Sequence, residues 1–200
     1  MKAVSPEKVE RRAKARSATR AAILDAARRV AGREGARNLS LRAAAKEAGF
    51  APAALYGYFG NKDELLLALA ADDLAAIARA MRGAPVCNGY STRLAAASAA
   101  ALEMLQHTET LIAASSALPR TSGRSEPERI FNGRLIAALT ALAQATGRSP
   151  ESRVAQTDAV LLAGTLAGLA VIARSGRLAA LGFSTEELVT RLGDRFAQAL

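Results

Sequence analysis

The chain holds one histidine, His107, and one cysteine, Cys87. A lone thiol rules out an intrachain disulfide framework and a cysteine-based structural zinc site, and it has no resolving partner with which to sense oxidants. One imidazole, beside Thr108 and Glu109, is not a metal site. No HExxH pair, glycine-rich phosphate loop or GxSxG elbow occurs, and no histidine, carboxylate and nucleophile group together. Catalytic residues, metal ions and cofactors are therefore not expected. The chemistry that remains is charge. Lys and Arg outnumber Asp and Glu by 27 to 18, and the excess is uneven: residues 1–66 hold 14 basic and 7 acidic side chains, whereas residues 67–200 hold 13 and 11. The front third is thus suited to a polyanion, either nucleic acid or an anionic membrane surface, because cations beside phosphates release condensed counterions.

Those charges need elements to carry them. Ala and Leu dominate, aromatic residues make up 4% and Trp is absent, which favours long helices over sheets, so an all-α fold is expected. Residues 1–16 carry Lys2, Lys8, Arg11, Arg12, Lys14 and Arg16 with almost nothing apolar, and read as a disordered basic arm. Two roles stand for it, a phosphate-contacting arm or a solvated tail. From Ser17 or Thr19 an apolar stripe at Ile23, Ala27, Val30 and Ala31 predicts a helix ending at Gly35. Ser40 can cap a second helix with Leu41, Ala44, Ala45 and Ala48 inward and Gly49 as its stop. Pro52 opens a third over 52–58, and Asn61 with Glu64 offers a capping-box-like start to a fourth that runs to about Met81. Further helices are expected near 91–106, 109–118, 127–146, 151–174 and 185–199, about nine in all. The organisation reads as arm 1–16, a three-helix module 17–66 and a helical domain 67–200. Three short helices with a glycine turn between the last two have the spacing of a helix-turn-helix, a spacing that ordinary bundles share.

Residues 19–66 resemble, without a gap, the N-terminal signature of the TetR (tetracycline repressor-like) family of transcriptional regulators. The match is carried by ILDAA at 23–27, glycine at 35, SLRAAAKEAGF at 40–50, ALYGYF at 54–59 and NKDELL at 61–66. The resemblance implies a supporting helix over Ser40–Ala48 and a recognition helix over Pro52–Tyr58 that presents Ala51, Pro52, Ala53, Ala54 and Gly57. It places Arg42 at the groove edge and Tyr56, Tyr58 and Lys62 on the phosphate side. A phenol can donate to a phosphate oxygen, and Lys62 adds charge where backbone amides of a helix start point outward. The plainer readings are half-buried packing for either tyrosine and a solvated face for Arg42 and Lys46. Leu55 and Phe59 are expected in the core. Family members often carry a hydroxyl at the positions of Ala51 and Ala54, so this recognition helix is poor in base-reading groups. Its specificity then falls to thymine methyl contacts, Arg42 and DNA shape.

Beyond about Leu69 the resemblance fades. Helices rich in Ala and Leu over 94–118 and 130–145 can surround a cavity for a small, largely apolar effector, or pack as a solid core. Met104, His107, Phe131, Leu135 and Thr165 are the candidate lining residues. The uncharged run Ala159–Ala173 is shorter than the roughly 20 residues of a membrane span and reads as a buried helix. Its Gly164 and Gly168 lie one turn apart and permit close helix approach. The family's last two helices form a four-helix dimer interface, which 151–174 and 185–199 would supply here. The expected function is a ligand-responsive repressor that binds double-stranded DNA at a palindromic operator as a homodimer. It would work in the cytoplasm, on the nucleoid, with no membrane partner. The alternative is a helical interaction or membrane-surface protein using the basic arm.

Overall fold

Local chemistry sets where the helices start and stop. In the computed structural model, which describes residues 6–86, 92–108, 110–117 and 125–197, every described element is helical. The helices are α1 (Pro6–Glu34), α2 (Leu41–Ala48), α3 (Pro52–Leu55), α4 (Lys62–Gly83) and α5 (Arg93–Gln106), then α6 (Thr110–Ala117), α7 (Glu126–Ala145), α8 (Arg153–Arg174), α9 (Arg177–Ala180) and α10 (Thr185–Ala197). Ser40 Oγ accepts from the Ala43 amide at 3.1 Å, satisfying an amide that the first turn of α2 would leave bare. Gly49 ends α2 with φ 74°, a left-handed value that costs glycine little. Asn61 Oδ1 accepts from the Glu64 amide at 2.9 Å. Glu64 returns its carboxylate to the Gly60 amide at 2.7 Å, one residue before the partner the sequence suggests.

The chain forms two compact units, divided inside α4 between Ala70 and Ala71. The first unit also takes in Glu109–Glu128, which the sequence reading assigns to the C-terminal domain. Its core joins Ile23, Val30, Leu39, Leu41, Leu55, Phe59, Leu65 and Leu69, with Ala113 of α6 packed against it. Burial of these apolar side chains is what holds α2 and α3 in place, since neither is long enough to be stable alone.

Residues 6–16, expected as an arm without structure, are instead the first turns of α1. Residues 7–16 are all exposed, so no core holds them. Helical continuity does: the anchored stretch from Ile23 onward already meets the nucleation cost, and Glu, Lys, Arg and Ala extend it cheaply. Glu7 and Glu10 stand four residues before Arg11 and Lys14, the favourable order for ion pairing along a helix.

In the second unit, α5 packs on both α8 and α10. Ala155, Ala159, Leu162, Leu166 and Ala170 form the buried side of α8. Its opposite side exposes Val160, Leu161, Val171 and Ile172, together with Gly164 and Gly168. The helix, apolar on nearly every face, is therefore covered on one side only within the single chain. By length and composition α8 is the one helix among the described residues that could cross a membrane, although its inner side is committed to packing. The short α9 occupies part of the stretch the sequence reading leaves between its last two helices; Gly176, at φ 70°, makes the turn into it.

Candidate nucleic-acid interface

The α2–α3 segment starts from a braced base. Glu47 on α2 accepts a hydrogen bond from Arg29 and another from Arg33 of α1, each at 2.8 Å, which ties the supporting helix to the longest helix of the unit. These bonds, Arg33's first and then Arg29's, hold the Glu47 carboxyl well below the ordinary range, at about 2. The carboxylate therefore stays charged, and the bracing in place, at any pH near neutral.

From Gly49 the chain turns into α3, which Pro52 opens at a first-turn position where its missing amide costs nothing. The sequence expects a helix over 52–58; regular α-helix covers Pro52–Leu55 and turn structure covers 56–58. Two side chains fix its seat. Leu55 is fully buried and Phe59 nearly so, both as expected. With these pointing inward, Ala51, Pro52, Ala53, Ala54 and Gly57 are all exposed, as is Arg42 on α2. Tyr56 is 60% exposed, a high value for a large aromatic ring with no packing role to explain it.

Tyr58 and Lys62 have structural duties that the resemblance does not indicate. Tyr58 is half-buried against the core of the unit. The Lys62 ammonium donates to the Arg37 carbonyl, joining the start of α4 to the loop before α2. Sequence reasoning places Arg16 in the basic arm and gives Arg20 no role, and it missed the contacts of both. The Arg16 guanidinium donates to the Gly57 carbonyl at 2.6 Å and lies 4.8 Å over the Tyr58 ring, while Arg20 lies 5.2 Å over the Phe59 ring. These contacts join α1 to the segment after α3 across 41 residues, a separation no local pattern reveals.

The five candidate effector residues are distributed over the second unit. Phe131 is buried, Met104 and Leu135 are half-buried, and both Thr165 and His107 are exposed. His107 closes the C-terminal end of α5. Cys87 lies outside the described residues. One cavity of about 630 Å³ lies among the end of α4, α5 and α10, lined by Ala80, Ala96, Ala99, Glu103, Gln106 and Val189 among others. A second, of about 450 Å³, lies between α7 and α8 beside Ile136, Leu139, Thr157 and Val160. None of the five candidates lines either of these two.

Comparison with known proteins agrees with the geometry. Residues 23–69 match the family model described as bacterial regulatory proteins, tetR family. No curated protein matches the chain. Among solved structures, the chain is similar to a protein of unknown function from Rhodococcus sp. RHA1, at 26% identity and TM-score 0.62 over 91% of this chain and 95% of that one. It is also similar to BioQ, solved with its double-stranded DNA operator, at 24% identity and TM-score 0.57 over 90% of this chain and 98% of that one. A third likeness is to FadR from Bacillus subtilis in complex with stearoyl-CoA, at 17% identity and TM-score 0.58 over 90% and 98%. The last two establish the fold. Residues 23–69, with their exposed α3 surface over a closed core, thus form a helix-turn-helix module of the type found at the N-terminus of bacterial regulatory proteins of the tetR family.

Proposed function

We propose that the protein is a ligand-responsive repressor that binds a palindromic operator as a homodimer. The observation that carries this reading is the surface made by Ala51–Ala54, Tyr56 and Gly57, exposed as a group directly above the buried Leu55 and Phe59. Small side chains there let the backbone of α3 approach base edges closely, methyl to methyl with thymine, while Tyr56 and Arg42 reach phosphates or the groove edge. Lys62 and Tyr58 support this surface more than they extend it.

Dimerisation is proposed through α8, with α10 beside it. The outward side of α8 offers Leu161, Gly164, Gly168 and Val171 at helical spacing, and α10 adds the half-buried Leu188 and Leu192. Two copies joined in this way would present two reading segments to successive turns of one duplex face. A small, largely apolar effector is proposed for the second unit, for which the 630 Å³ cavity has the size and the mixture of alanine walls with Glu103 and Gln106. That FadR was solved with stearoyl-CoA supports an effector with an apolar portion. Such a ligand would act by favouring a dimer whose reading segments no longer match the operator spacing. The cytoplasm, on the nucleoid, is the corresponding place of work.

The test is selection of bound fragments from the genomic DNA of the source organism, followed by footprinting. A protected site with two-fold symmetry is expected, and Tyr56→Ala or Arg42→Ala should weaken binding to it by roughly tenfold or more without loss of helicity. Enrichment of no sequence at moderate salt, or full affinity in both variants, would contradict the reading.

A further inference from the structure

The charged residues of the α1 extension are sorted by face. Stepping back from Arg20 by fours gives Arg16, Arg12 and Lys8, a single row along one side of the helix. No carboxylate stands three or four residues from any of these four positions. The two acidic residues of the extension, Glu7 and Glu10, stand instead four before Arg11 and Lys14, so the other basic residues have opposite charges at pairing distance along the helix. The row is thus three successive like-charge pairs at the spacing that disfavours a helix, on a stretch that is exposed and has no packing to compensate.

One end of this row is joined to the reading segment. Arg16 donates to the Gly57 carbonyl and covers the Tyr58 ring, so it leaves Lys8 and Arg12 as the unoccupied cations beyond it. From Arg16 to Lys8 the helix rises about 12 Å, the axial length of three to four base pairs. We infer that the Lys8–Arg12–Arg16 row is a second DNA surface, which lays Lys8 and Arg12 along the phosphate backbone flanking the bases faced by α3. Arg16 is the positioning residue that couples the two, because its bond to Gly57 sets the direction of the row relative to the turn after α3. A polyanion relieves the repulsion that the row carries when unbound. This rests on the DNA-binding reading and adds sequence-independent contacts to it.

The experiment measures fluorescence anisotropy of the full chain with a long mixed-sequence DNA duplex, over a salt series from about 50 to 200 mM. Wild type is compared with a Lys8→Ala/Arg12→Ala double variant and with Arg11→Ala/Lys14→Ala, which removes the same charge from the other face. The first double variant is expected to flatten the log affinity against log salt slope by about 0.9 for each phosphate no longer neutralised, near 1.8 per chain, and the second by less than half as much. Circular dichroism should show no loss of helix in the first, since its substitutions remove repulsion. Equal flattening by the two doubles, or none by the first, overturns the inference alone. Failure of wild type to bind the duplex at the lowest salt overturns the DNA-binding reading along with it.

Discussion

Glu47 is the residue on which the orientation of α2 most depends electrostatically, and its titration follows from its partners. With Arg33 and Arg29 each at 2.8 Å, its carboxyl titrates at about 2 against an ordinary 4.5. A carboxyl whose value is lower folded than unfolded contributes stability that is full above the unfolded value and is lost as pH falls through the folded one. Wild type should therefore melt above a Glu47→Gln variant by a constant margin from neutral pH to about 4.5, and the margin should close as pH approaches about 2. The arginines are solvent-exposed, so the margin is small and shrinks with added salt. Melting curves of both proteins across pH test this, and a margin indifferent to acid would locate the effect elsewhere. At this same scale the sequence was only partly legible. The exposure of Arg42, Ala51–Ala54 and Tyr56 agrees with what the family resemblance implies. The inward duties of Tyr58 and Lys62 depend on Arg16 and Arg37, whose proximity is created by folding.

Among the elements, α10 is seated closely on α5 at Gly193. A Cβ added at Gly193 would lie 2.6 Å from Thr92 Oγ1, 2.8 Å from Ala95 Cβ and 3.1 Å from the Ala95 amide nitrogen. Thr92 has little room to give way, because its hydroxyl caps α5 by accepting from the Ala95 amide at 3.0 Å. Helix propensity alone would make Gly193→Ala favourable by about 0.5–1 kcal/mol. The overlap outweighs it, and a net destabilisation of about 1–3 kcal/mol is expected from equilibrium denaturation. A more stable variant would mean that α10 can shift on α5 without cost. Element boundaries were legible wherever one residue decides them, as at Ser40, Gly49 and Asn61. They were not legible where continuity decides, as in the first turns of α1, or where a helix is a single turn, as in α9. Which side of α8 is covered was likewise hidden, because a helix apolar on every side carries no periodic signal to say which residues face α5.

For the whole molecule, the proposed dimer rests on the uncovered side of α8. Leu161 is 57% exposed in the single chain, so a charge there should cost the fold little. In the proposed dimer the same charge would be buried at a helix crossing. Leu161→Glu is expected to leave the helix content of each chain nearly intact while converting dimer to monomer in light scattering at micromolar concentration, with melting lowered only by the loss of the partner, and to abolish tight operator binding. A wild-type protein that is monomeric under those conditions would remove the basis for paired reading. Of the five residues the sequence suggests for an effector pocket, Thr165 and His107 are exposed in the fold, a placement that residue type alone does not convey. The α3 surface has a separate consequence. Its residues Ala51, Ala53 and Ala54 lie outside the core beneath them, so under the proposed reading the stability of the scaffold and the base sequence recognised can be altered independently. Grafting Asn, Gln or Arg at these alanines would give a family of variants with new target sites on an unchanged framework, a route by which duplicated copies of such a gene could diverge quickly.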